Sequence, residues 1–345
     1  MHAGSAVLEA LGGEEGCRRL SVAFYARVGR DPVLRPFFPG KSLRCAIEEF
    51  SAFLIQFLGG DENESQFRWW LSLRESHARF QIGPEARHAW LKNMEATLDA
   101  APMNNATRTA LRNFFLHSSA YVIGSEDGEP DHEELAARWS EQRALDRLIA
   151  AIVAGQDDEA LALAPQFASR PSVFVGVLAR MIESGRARLI RFVIDAAESN
   201  PSLATQRFNK GTLLHFAAAA GCLEVVASLL RLGVDPNLHG RGDHTPLYCV
   251  ANECGSETGA DIVRALVQGG ADVNADGGVT RATALHMAAR RGHVEIARAL
   301  LDAGAAVDVR DRKGDTPLQR AIKCRKHAVA QLLRERGAEN RQALR

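Results

Sequence analysis

Through the first 124 residues, apolar positions recur three and four apart: Leu20, Phe24 and Val28, then Ile47, Phe50, Leu54 and Phe57, then Leu111, Phe114, Phe115 and Tyr121. Val, Ile and Thr alternating with polar residues would mark a half-buried strand, and this stretch lacks them, so the spacing predicts helices. Gly12–Gly13 precedes the first long helix and Gly59–Gly60 ends the second, places where a tight interhelical turn favours residues that tolerate positive φ. Gly83–Pro84 then breaks the chain ahead of the helix that holds Trp90. Helical spacing carries on through 145–167 and 173–197, each of which reads as two short helices about Gly155 and Gly185. The expected class is all-α.

A longer period governs the rest. The tetrapeptides Thr212–His215 (TLLH), Thr245–Tyr248 (TPLY), Thr283–His286 (TALH) and Thr316–Gln319 (TPLQ) begin 33, 38 and 33 residues apart. Each is followed by a helix, by a second apolar helix, and by Gly with an Asp or Asn turn, as in LLRLGVDPN (229–237) and LVQGGADVN (266–274). Thr caps the first helix, Pro fits its first turn, small Ala side chains allow close packing, and Gly turns the chain out of the second helix. This compound pattern resembles the ankyrin repeat, with four recognisable copies over 211–345. The helix pairs over 136–210 lack the signature and read as degenerate repeats that cap the stack. The five extra residues of the middle interval fit either 253–261 or the loop before Thr283.

With 345 residues, 46% hydrophobic and 24% charged, the chain has room for two or three domains and the make-up of an ordinary globular protein. Trp69, Trp70, Trp90 and most Phe lie upstream of the stretch 125–135 (SEDGEPDHEEL), which carries six acidic residues and neither Lys nor Arg; Trp139 lies beyond it. We read 1–124 as a first domain and 125–135 as an acidic linker. Lys and Arg number 42 and so do Asp and Glu, so no net charge draws the chain to nucleic acid or to an anionic membrane. No apolar stretch reaches the ~20 residues of a membrane span, and the first residues lack the basic-then-apolar layout of a secretory signal. A cytoplasmic location is expected. The six cysteines lack metal-type spacing and read as reduced thiols, and the sequons at Asn63 and Asn105 then carry no glycan.

The first domain has a resemblance of its own. GGEEGCRRLSVAFYARVGRDPVLRPFFPG (12–40), FLIQFLGG (53–60) and LRESHARFQIGPEARHAWLKNM (73–94) present in order the early Gly pair, Phe24–Tyr25, Phe38–Pro39, the second Gly pair, His77 with Phe80 and Ile82, and Trp90–Leu91. This ordered set resembles the truncated haemoglobins of the second group and covers 1–124. The resemblance implies a two-over-two helical globin sandwich, haem b (iron protoporphyrin) as cofactor, and His77 as the proximal ligand of its iron. It places Tyr25, Ala46, Phe50 and Trp90 on the distal side and Phe38 against the haem. Leu73, Phe80 and Ile82 fall among the haem contacts, and Arg74 faces a propionate. Tyr25 and Trp90 are hydrogen-bond donors, and two donors aimed at a diatomic ligand stabilise it by ~1–3 kcal/mol, so slow release of dioxygen is expected. Ala46 stands where many globins hold a bulky gate residue, which leaves access open, while Phe50 narrows the distal cavity.

By residue type alone, His77 is more often a hydrogen-bonded core histidine than a ligand; Tyr25 and Trp90 also read as core aromatics, and Arg74 as a solvated surface residue. His88 and His117 are expected to face solvent or a side pocket. The stretch between Gly60 and His77 departs from the family: it lacks the Pro-Tyr feature after the Gly pair and has Trp69–Trp70 instead, so the loop before His77 is expected to be rearranged.

Together these features describe a haem globin that binds dioxygen, and nitric oxide as a further ligand, and is held near a protein partner by the concave face of the ankyrin repeats. Three alternatives stand beside it. A nitric-oxide dioxygenase or peroxidase-like enzyme would need an external reductase, since the chain has neither GxGxxG nor a strand-rich flavin or nicotinamide module. A haem-based gas sensor signalling through the repeats would need a two-state element that both sites bias. A haem-free adaptor would use the repeats alone. Loop tips at 238–244, 276–282 and 309–315 mix Arg with Asp, which suits a charged protein ligand, and Arg241–Gly242–Asp243 in the first of them reads as ordinary turn chemistry.

Overall fold

A computed structural model of the chain describes residues 6–38, 40, 42–60, 72–77, 80, 82–124 and 128–338. The expectations resting on Pro39 and on Trp69–Trp70 lie outside the described residues. The chain divides into two compact units, Met1–Ala151 and Ile152–Arg345. No β-strand forms among the described residues, as the all-α expectation requires.

The first unit contains α1 (Ala6–Leu11), α2 (Gly13–Val28), α3 (Arg44–Phe57), α4 (Leu73–His77), α5 (Pro84–Ala100), α6 (Asn105–Val122) and most of α7 (Glu133–Ala154). Two helix pairs form its body, α2 with α3 and α5 with α6, and α2 packs on α5. Local chemistry sets the turns. Gly59 closes α3 at φ 82°, and a Cβ there would lie 2.6 Å from the Arg138 guanidinium; glycine leaves room for that arginine, whose Nη1 donates to the Phe57 carbonyl at 3.2 Å. Pro84 stands in the first turn of α5, where its missing N–H is not needed. The Asn104 side chain caps α6 by accepting from Thr107 N at 2.8 Å. Asp31 ties the loop after α2 to α5, accepting from Leu34 N at 3.0 Å and from Asn93 Nδ2 at 2.7 Å. The Leu34 N–H is the foremost of the donors that hold its carboxyl below the usual carboxylate range.

Phe24, Leu111, Phe114 and Phe115 form the centre of this core, and Leu135 and Trp139 of α7 are buried in the same cluster. The Trp139 ring meets Phe114 edge-on at 5.8 Å between centroids and Tyr121 at 5.2 Å. Residue pattern puts the end of the first domain at 124 and assigns 136 onward to the repeats. The structure carries the first unit to Ala151, and the acidic stretch runs into α7, which begins at Glu133. The physical reason is Trp139, whose large apolar surface is buried against Phe114 and Tyr121 rather than against another repeat.

The second unit contains α8 (Asp157–Leu163), α9 (Pro171–Ser184), α10 (Ala187–Ser199), α11 (Leu213–Ala220), α12 (Leu223–Arg231), α13 (Pro246–Glu253), α14 (Gly259–Gln268), α15 (Ala284–Arg291), α16 (Val294–Asp302), α17 (Pro317–Lys323) and α18 (His327–Glu335). Breaks at Gly155 (φ 78°) and Gly185 (φ 66°) fall where the spacing puts them. α9, α11, α13, α15 and α17 pack in one row and α10, α12, α14, α16 and α18 in a second. Most of the middle repeat's extra length lies in Cys254–Thr258, between α13 and α14; in the repeats on either side only Gly221–Cys222 and Gly292–His293 separate the paired helices.

Each repeat's Thr stands just before its first helix. His215 and His286 complete capping boxes, accepting at Nδ1 from the backbone N–H of Thr212 at 3.2 Å and of Thr283 at 3.1 Å. Their other ring nitrogen, Nε2, donates to the carbonyl of His244 at 3.1 Å and of Asp315 at 3.0 Å in the tip of the next repeat. Burial lowers the pKa of both rings, that of His215 to about 4. The Arg241–Gly242–Asp243 tip is closed by Gly240 N donating to His244 O at 2.7 Å.

Candidate functional site

Helices and loops of the first unit line an open cavity of about 570 Å³, within the roughly 300–1,000 Å³ of cofactor and small-molecule pockets. All but one of the residues singled out by resemblance line it: Tyr25, Phe38, Ala46, Phe50, Leu73, His77, Phe80, Ile82 and Trp90. Arg74 is the exception. Its guanidinium lies over the Tyr121 ring, 3.9 Å from the centroid, and its Nε donates to the Tyr121 carbonyl at 3.4 Å. The arginine that lines the cavity among the described residues is Arg87, of α5, held by Ser119 Oγ and the Leu116 carbonyl at 3.1 Å each. His88 is exposed and His117 half-buried.

His77 ends α4, a helix just long enough to bring its ring back over the preceding turn. Its Nδ1 lies 2.8 Å from the Leu73 carbonyl and 2.7 Å from Ser76 Oγ, which itself donates to that carbonyl at 2.6 Å. A carbonyl only accepts, so Nδ1 carries the proton and Nε2 carries the lone pair that a metal requires. The same contact fixes the ring's orientation, the usual duty of a second partner to a metal-binding histidine.

Donors line the same cavity. Tyr25 comes from α2, edge-on to Phe38 at 5.5 Å and to Phe50 at 6.1 Å between centroids. Burial pushes its phenol pKa well above the ordinary value. Trp90, from α5, packs on Phe24 at 5.2 Å and on Phe115 at 5.5 Å. Phe50 touches Phe24, Tyr25, Phe53 and Phe115, so it is a wall residue of the aromatic cluster.

Sequence reasoning misses the other end of α4. The backbone N–H groups of Leu73 and Arg74 donate to the two carboxylate oxygens of Asp146, on α7, at 2.9 and 3.1 Å. Gln142 Nε2 donates to Asp146 Oδ1 at 2.8 Å, and the Tyr121 hydroxyl also bonds it. Gln142 reaches the cavity wall. Burial raises the Asp146 pKa against the pull of these donors; Leu73 N, Arg74 N and Gln142 Nε2 can only donate, and between them they already meet both carboxyl oxygens, so the arrangement suits the carboxylate. The one signal for it in the sequence is Trp139, an aromatic residue stranded beyond the acidic stretch.

A family model described as bacterial-like globin matches residues 6–120, and one described as ankyrin repeats (3 copies) matches 178–277 and 256–343. The chain is 38% identical over 132 residues to the Ankyrin repeat and KH domain-containing protein mask-1 of Caenorhabditis elegans, covering 38% of this chain and 5% of that protein. It is 31% identical over 154 residues to the Putative E3 ubiquitin-protein ligase XBAT31 of Arabidopsis thaliana, covering 41% and 33%. Against the SH3 and multiple ankyrin repeat domains protein 1 of Homo sapiens it is 42% identical over 101 residues, covering 28% and 4%. The chain thus spans only a minor part of the length of each of these relatives. An anchored histidine on an apolar cavity in one unit, and capped helix pairs in the other, agree with the family matches: the chain carries a bacterial-like globin domain over residues 6–120 and ankyrin repeats over 178–343.

Proposed function

We propose that the globin domain holds haem b through His77 and binds dioxygen, or nitric oxide, reversibly, while the ankyrin repeats engage a protein partner. The observation that carries this reading is the His77 ring, its Nδ1 proton committed to the Leu73 carbonyl, set in a cavity lined also by the donors Tyr25 and Trp90. The cavity's size and its mostly apolar wall fit a haem. Haem supplies an iron site at which such gases bind.

The chain supplies the rest. Phe38, Phe50, Leu73, Phe80 and Ile82 offer apolar surface to a flat hydrophobic group and exclude water from it. Arg87, not Arg74, brings positive charge to the wall for the cofactor's carboxylates. Tyr25 keeps its hydrogen at neutral pH and donates it. Ala46 adds little bulk to the wall it lines, which favours ligand entry. For the second unit, similarity to repeat regions within much longer ankyrin proteins supports a protein partner, and paired tips rich in Arg and Asp favour a charged one. The six unpaired thiols suit a reducing cytoplasm, and no helix among the described residues is long and apolar enough to cross a membrane.

The test is the visible absorption spectrum of the purified chain with added haem, in the ferric, dithionite-reduced and carbon-monoxide-bound forms. A sharp Soret band that shifts at each step supports the reading; a broad, unshifting band like that of haem in solution overturns it. His77→Ala should abolish haem retention, and an unaltered spectrum would remove His77 as the ligand.

A further inference from the structure

The peptide group between Leu73 and Arg74 is engaged at both ends. Its N–H, on Arg74, donates to Asp146 Oδ2 at 3.1 Å, and its C=O, on Leu73, accepts from His77 Nδ1 at 2.8 Å. One peptide therefore links the Asp146 carboxylate to the His77 ring. The first N–H groups of a helix have no partner within it, and in α4 those of Leu73 and Arg74 are taken by a residue 73 and 72 positions away in the chain, beyond the globin match that ends at 120. Asp146 is only 3% exposed, so its charge acts on this peptide with little screening by water.

We propose that Asp146 is a positioning residue for His77, acting through the Leu73–Arg74 peptide to make the histidine a stronger electron donor. Hydrogen bonds in a chain polarise one another. An anion drawing on the peptide N–H places more negative charge on the Leu73 oxygen, that oxygen draws harder on the Nδ1 proton, and the ring becomes more basic at Nε2. The second bond, from Leu73 N at 2.9 Å, holds the peptide plane in place, so orientation and electron donation have one source. Gln142, by donating to the same carboxylate, spreads its charge and moderates the effect. This inference rests on His77 being the haem ligand.

Resonance Raman spectroscopy of the full-length, haem-loaded chain in its reduced, ligand-free form reads the iron–histidine stretching frequency, and spectroelectrochemistry reads the ferric/ferrous midpoint. Asp146→Asn removes the charge and keeps the size. The expected result is a lower stretching frequency and a higher midpoint at unchanged haem content. Both quantities at their wild-type values in a variant that holds haem would overturn the proposal and leave Asp146 a structural cap. If Asp146→Asn fails to hold haem, Gln142→Met decides: it strips a donor from the carboxylate and should move both quantities in the opposite sense, and no movement overturns the proposal. Failure of the underlying reading looks different, since a wild-type chain that takes up no haem gives no iron–histidine band at all.

Discussion

A phenol is protonated at neutral pH and burial raises the Tyr25 pKa further, so whatever it does in the cavity it does as a neutral donor. Tyr25→Phe should speed dioxygen release about two- to twelvefold, the span of ~0.5–1.5 kcal/mol for one of the two hydrogen bonds to the ligand. Stopped-flow displacement by carbon monoxide measures it, and an unchanged rate removes Tyr25 from the ligand's contacts. His77, Tyr25 and Trp90 are legible in the sequence because their identities and order carry the globin pattern. Asp146 is not. It sits in a helix whose neighbours Glu141, Gln142, Arg143 and Arg147 look like an ordinary solvated face, and its partners Leu73 and Arg74 lie more than seventy residues upstream. Arg74 shows the converse: its place in the sequence points it at a carboxylate, and the fold lays it on the Tyr121 ring, where a cation gains from the aromatic face.

Among the elements, α7 shows where pattern reasoning stops. Helical periodicity identifies such a segment and cannot say which neighbour its apolar face meets, because the same face suits a repeat or a globin core. Trp139 is 2% exposed and packs between Phe114 and Tyr121. Trp139→Ala should destabilise the first unit by about 3–5 kcal/mol, read from urea denaturation followed by the Soret band; a cost below about 1 kcal/mol would mean that α7 adds little to that core. The repeat helices are legible almost residue by residue, since capping, Ala packing and glycine turns are all local. Their histidines also carry a pH dependence. His215 is neutral in the fold with a pKa near 4, against about 6.5 in an unfolded chain. The unfolded chain therefore takes up the proton first as pH falls. Stability from this ring is full above about pH 6.5 and is lost on acidification toward pH 4, by on the order of 3 kcal/mol. His215→Gln, which places there the residue that Gln319 supplies in the last repeat, should flatten the loss between pH 7 and pH 5 in denaturant titrations of the second unit. A slope equal to wild type would clear His215 of the effect.

For the molecule as a whole, two boundaries fail to coincide. The globin match ends at residue 120, and the first compact unit ends at Ala151. A fragment of residues 1–124 should bind haem poorly and aggregate, because it leaves Phe114 and Tyr121 uncovered and the α4 amides without their carboxylate. A fragment of residues 1–154 should hold haem with the stoichiometry of the full chain. Haem titration and size-exclusion chromatography compare the two, and equal behaviour would show that α7 is dispensable.

The offset also bears on inheritance. A crossover at the edge of the recognisable globin would pass on a gene for an incomplete core, and its product would be selected against. A crossover downstream of Ala151 would pass on a working one. On that ground the codons for Trp139 and Asp146 should travel with the globin, and an exchange of the repeats that keeps the core whole should begin downstream of them.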